Sequence, residues 1–170
     1  MAEVSEPLFA VSAYSDPVVM RINGRASYLN SAPASDFFEH MLGRGKRHFV
    51  LDFHDCTGVD STFLGIIAGV ALQLREPESK GSMILCRLSR RNLELVRNLG
   101  LHRIITVDSG RFAMEFEEPA EHLDEVDHTE IENARMILSA HENLVEADES
   151  NRAKFQDVIA FLKNQADSTA

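Results

Sequence analysis

Between Phe49 and Gly69 the chain reads FVLDFHDCTGVDSTFLGIIAG, a run that calls for a strand, a loop and a helix in close succession. Phe49 to Phe53 is a short apolar strand interrupted by Asp52, and His54 to Val59 is a polar loop. Ser61 to Arg75 carries Leu64, Ile67, Ala68, Ala71, Leu72 and Arg75 at helical spacing. Asp60, Ser61 and Thr62 therefore fall where the helix begins. Free backbone N–H groups and the positive end of the helix dipole favour oxygen-bearing side chains there, and would equally favour a phosphate. Capping alone accounts for these residue types, and on spacing it is the favoured reading.

The flanking segments continue the alternation of strand and helix. Leu8 to Tyr14 and Val18 to Ile22 read as strands joined by the turn Ser15-Asp16-Pro17, an opening hairpin. Ser31 to Leu42 gathers Phe37, Phe38, Met41 and Leu42 on one side of a helix stopped by Gly43 and Gly45. After a loop at Pro77 to Gly81, Ser82 to Cys86 is a further strand, and Ser89 caps a helix carrying Leu93, Val96 and Leu99. Gly100 suits the left-handed position that closes such a helix, and Ile104 to Val107 gives a last strand. This order implies a mixed sheet with helices packed against it.

Beyond Phe116 the composition changes: the body is near electrical neutrality up to Met114, and nearly all of the net charge of −10 lies after it. Glu117 to Asp127, acidic and containing Pro119, reads as a linker or as a tether along the domain surface. Two helical patterns follow, one with Ile131, Ala134, Ile137, Leu138, His141, Leu144 and Val145, the other with Phe155, Val158, Ile159 and Leu162. Ala147 to Ser150 turns between them, giving a helical hairpin over residues 128–166 attached to a domain over residues 1–116. A lone hairpin cannot bury both apolar stripes, so it packs on the body, on a second copy in a homodimer, or on a partner.

Several chemistries find little support. The basic clusters at Arg44-Gly45-Lys46-Arg47 and Arg87 to Arg91 are short and lack interleaved aromatics, and the acidic tail repels phosphate backbones, so nucleic acid is not an expected ligand. No apolar run approaches the roughly 18 residues of a membrane span. The N-terminus lacks a basic stretch followed by an apolar core, so a cytoplasmic protein with Cys56 and Cys86 reduced is expected. The histidines show no metal-ligand spacing, and no metal or cofactor is expected. Asp52, Asp55 and Asp60 as a cation cluster are disfavoured because Asp52 lies within a strand and Asp60 is accounted for at the helix start. Ser61 lacks a nucleophile-elbow context, nothing in the pattern links His54, His102 or His141 to it, and no glycine-rich phosphate loop is present. Gly65 and Gly69, one turn apart, read instead as a place where a neighbouring element packs closely.

The order Val50-Leu51-Asp52-Phe53, then Val59-Asp60-Ser61-Thr62-Phe63-Leu64-Gly65, then Leu93, Val96 and Asn98-Leu99-Gly100-Leu101 with Ile104-Ile105, resembles the STAS domain of sulfate transporters and anti-sigma factor antagonists. The match runs from about Leu8 to Phe116. Phe63 departs from it, standing where the family usually has Gly. The resemblance implies an α/β fold with a mixed four- to five-stranded sheet and helices mainly on one face, the helical hairpin being an addition. It also implies a non-enzymatic bacterial regulator that switches partners. Unmodified, it would bind an anti-sigma factor serine kinase and free a sigma factor; phosphorylated on Ser61, it would let go until a serine phosphatase restored it. Thr62 is the second choice for the phosphate, and Asp60, Ser61, Thr62, Phe63 and Leu64 are the expected partner surface. A phosphate-free scaffold or accessory subunit in a signalling or transport assembly, binding through the hairpin, is the chief alternative, and a small-ligand binder at the same helix end is another.

Overall fold

A computed structural model describes residues 7–108 and 121–167; the expected boundary at Phe116 and the first linker residues, 117–120, lie outside these. Along the chain run β1 (Phe9–Ser12), β2 (Val18–Ile22), β3 (Gly24–Ala26), α1 (Ala32–Gly43), β4 (His48–Asp52), β5 (Cys56–Val59) and α2 (Ser61–Leu74). After these come β6 (Ser82–Cys86), α3 (Arg90–Asn98), β7 (Thr106–Val107), β8 (Glu121–His122), α4 (Glu130–Ala147) and α5 (Asn151–Asp167).

The main sheet has the order β7-β6-β4-β2-β1-β8. The opening hairpin is present, β1 pairing antiparallel with β2 and Phe9 facing Ile22. β2, β4, β6 and β7 run parallel. Six strands exceed the expected four to five because the acidic segment contributes β8, which pairs antiparallel with β1 and covers that edge. The loop expected at His54 to Val59 also differs. Its second half is β5, which pairs with β3 in a two-stranded ribbon too short and polar for alternation to reveal. The strand expected from Ile104 shrinks to β7, because Leu101–Arg103 forms a 3-10 turn whose Leu101 carbonyl accepts from the Ile105 N–H at 2.9 Å.

Period-two alternation divides the sheet. Met20, Phe49, Leu51, Met83 and Leu85 meet α1, α2 and α3 in one core, whereas Val19, Val50 and Cys86 line the opposite face. α2 is apolar almost all round because it is buried almost all round, between the sheet on one side and α4 on the other. Ala140 and Leu144 of α4 belong to that same core, so the hairpin packs on the body. On α5, Val158 and Phe161 are left exposed. The hairpin's turn is held by Asn151, whose buried amide donates to Leu99 O at 2.9 Å and Leu144 O at 2.8 Å. Gly100 adopts the expected left-handed conformation, φ 73°, and a side chain there would strike Asp148 in the turn.

Cys56 and Cys86 are both free and buried; burial raises both thiols, Cys86 to about 11 with Asp52 contributing. Asp52, 1% exposed, lies on the opposite face between Arg21 and Arg87. Its Oδ1 accepts from His54 N–H at 3.0 Å and from Arg87 Nε at 2.9 Å, and its Oδ2 accepts from Arg21 Nε at 3.2 Å. Burial pushes this carboxyl upward, but the Arg87, His54 and Arg21 contacts outweigh it and hold Asp52 below the usual carboxylate range. A lowered folded-state value means the stabilisation is complete above the unfolded-state pKa of about 3.9 and is lost as pH falls through the folded-state value. Asp52→Asn is therefore expected to lower unfolding free energy by about 1–3 kcal/mol at neutral pH. In urea titrations repeated at decreasing pH, the gap from the parent protein should close in acid.

Candidate functional site

Asp60 organises the start of α2. In extended conformation, φ −118° and ψ 179°, it is the N-cap, and its Oδ1 accepts from Phe63 N–H at 3.0 Å. Its Oδ2 accepts from Tyr28 N–H at 2.8 Å, and its own N–H donates to Ala26 O at 3.2 Å. One carboxylate thus fastens the helix end to the loop between β3 and α1. That loop presents Tyr28, 52% exposed, and Leu29, 78% exposed, beside the helix start. Asn30 braces it from within, accepting from Ser27 N–H at 2.8 Å and donating to Arg25 O at 2.9 Å.

Ser61 follows as the first helical residue and is half-buried. Its Oγ lies 2.9 Å from Nε2 of His141 on α4. His141 is 4% exposed, its Nδ1 is 2.7 Å from the Ile137 carbonyl oxygen, and its ring meets the Phe155 ring edge-to-face at 5.0 Å. A carbonyl can only accept, so Nδ1 carries a proton, and in the neutral ring Nε2 accepts from the serine hydroxyl. The expectation that nothing links a histidine to Ser61 is thereby corrected. Folding α4 across α2 closes a separation of 80 residues, which no local spacing records.

The remaining expected site residues part company. Thr62 is 2% exposed, so its hydroxyl is far less reachable than that of Ser61. Phe63 and Leu64, expected at the partner surface, are both 0% exposed. Phe63 stacks on Phe9 with ring centroids 5.9 Å apart and meets Phe53 edge-on at 6.5 Å. The first turn of α2 points these two residues into the core, and the exposed apolar pair beside the serine is Tyr28-Leu29 instead. Their only sequence signal was an aromatic and an aliphatic residue in a polar loop; that of His141 was an imidazole within an apolar helical stripe.

Hydroxyl, imidazole and orienting carbonyl are aligned in Ser61, His141 and Ile137. A cleft of about 1060 Å³ lies between α1, α2 and α4, lined by residues such as Gln73, Glu132 and Arg135, and neither Ser61 nor His141 borders it. Among the described residues no group of three His, Cys, Asp or Glu is placed to hold a metal, and no helix is long and apolar enough to cross a membrane. Asp60→Ala is expected to cost about 1–2 kcal/mol through loss of the cap. Hydrogen exchange should rise in both the 27–31 loop and the first turn of α2, because one carboxylate holds both.

The sequence profile of the STAS domain matches residues 9–114. No curated protein matches the chain. Among solved structures, the anti-sigma factor antagonist SpoIIAA in its unphosphorylated form shares 18% identity at a TM-score of 0.47, over 52% of this chain and 81% of that one. The phosphorylated form of SpoIIAA, a Bacillus cell fate determinant, shares 17% at 0.49 over 60% and 92%. A protein of Thermotoga maritima shares 19% at 0.48 over 60% and 87%.

Proposed function

We propose, on the premise that this chain belongs to the STAS domain family, that it is a non-enzymatic regulator of the anti-sigma factor antagonist type, switched by phosphorylation of Ser61. The observation that carries this reading is the position of Ser61: a half-buried hydroxyl on the first residue of α2, inside the Asp60-Ser61-Thr62 motif and beside an exposed Tyr28-Leu29 loop. Its partners are an anti-sigma factor serine kinase, bound while Ser61 is unmodified, and a serine phosphatase that restores it. Asp60 and Ser61 contribute the polar part of the docking surface, and Tyr28 and Leu29 the apolar part.

A phosphate adds about −1.5 to −2 charges at neutral pH. At the N-terminus of α2 the free N–H groups and the dipole stabilise it, so the domain need not unfold. Against a docked partner the same charge, next to Asp60, adds repulsion and a desolvation cost, and the complex dissociates.

In the native cell, a phosphate-affinity gel should resolve two forms of the chain under at least one growth condition. Ser61→Ala should abolish the slower form and Thr62→Val should keep it. Persistence of the slower form in Ser61→Ala, or a single unmodified form under all conditions, would sink the reading.

A further inference from the structure

The face of α2 that bears Ser61 is already occupied by this chain's own C-terminal hairpin. Ser61, Gly65 and Gly69 recur one helical turn apart along it. α4 answers each: His141 takes the Ser61 hydroxyl, the Ala140 backbone abuts Gly65, and the Asn143 amide donates to Gly65 O at 3.1 Å while reaching over Gly69. A Cβ added at Gly65 would overlap the Ala140 carbonyl, and one at Gly69 would overlap the Asn143 amide. The two helices therefore have no slack where they cross.

We infer that the docked α4 and a phosphate on Ser61 exclude one another, so that α4 is an internal cover which modification of Ser61 lifts. The inference rests on Ser61 being the modified residue. Two physical effects act together. The phosphate needs space between two helices that are in backbone contact where Gly65 meets Ala140. In addition, α4 has a net negative charge, with Glu142 adjoining His141, and so offers an added negative charge no compensating cation there. The α2 N-terminus, by contrast, stabilises the phosphate, so the helix that yields is α4.

The hairpin would not leave altogether. Its turn stays fastened to the end of α3 by Asn151 to Leu99 O and by Lys154 Nζ donating to Asn98 O at 2.6 Å. α4 then pivots about that turn and uncovers the Gly65–Gly69 face of α2. The unmodified chain is self-occupied on this face, and a partner reaching fully around Ser61 competes with α4 for it.

The test uses full-length chain with phosphoserine placed at position 61 during translation, which requires no kinase and so can fail or succeed independently of the proposed function. Hydrogen exchange read by mass spectrometry should be about tenfold faster or more across 130–147 than in the unmodified chain, with peptides from β2, β4 and β6 unchanged and reporting that the body is folded. Gly65→Ala, a wedge in the same contact, should produce the same loosening without any phosphate. Unchanged or slower exchange across 130–147 in the phosphoserine protein would overturn the inference, as would full protection of α4 in a folded Gly65→Ala variant.

Discussion

Two helices bring their backbones into contact only where one of them has no side chain to interpose, and Gly65 supplies that position between α2 and α4. From this approach follow the Asn143 bond to Gly65 O, the placement of His141 over Ser61 and the entry of Ala140 and Leu144 into the core. Ala134, Ala140, Leu144 and Val145 of the α4 stripe are buried within one chain, whereas Val158 of the α5 stripe stays exposed. The same contact joins the two halves of the chain at Ser61, the residue proposed to be modified.

Asp60 is the second fixed point. By accepting from both Phe63 and Tyr28 it ties the helix end to the preceding loop, so Ser61 and Tyr28 are brought together by a carboxylate that makes neither bond to α4. Under the proposed phosphorylation of Ser61, a phosphate would meet a helix terminus that favours it and a covering helix that does not, which would give the modification a direction of effect.

Much of this was legible from the residues. The opening hairpin, the cap at Asp60, the Ser89 cap whose oxygen accepts from Asn92 N–H at 3.1 Å, and the left-handed Gly100 all follow from local rules and are present. The close packing read from Gly65 and Gly69 is present too, with α4 as the neighbour. What escaped depends on distant partners. β8 and β5 are short strands defined by what they pair with, and their own composition is that of loops. Phe63 and Leu64 read as surface residues because they adjoin the serine, yet a helix rotates successive residues by about 100°, and here that rotation carries them into the core. His141 was visible as an imidazole in an apolar stripe, but its partner could be named only once α4 was laid across α2.

The contact between Ser61 and His141 is open to direct observation by long-range proton–nitrogen correlation of the histidine rings in the full-length chain, at a pH where the imidazole is neutral. His141 should carry its proton on Nδ1, and its Nε2 resonance should shift in Ser61→Ala while the other histidines do not move. A proton on Nε2, or an Nε2 resonance indifferent to the loss of the Ser61 hydroxyl, would contradict that contact.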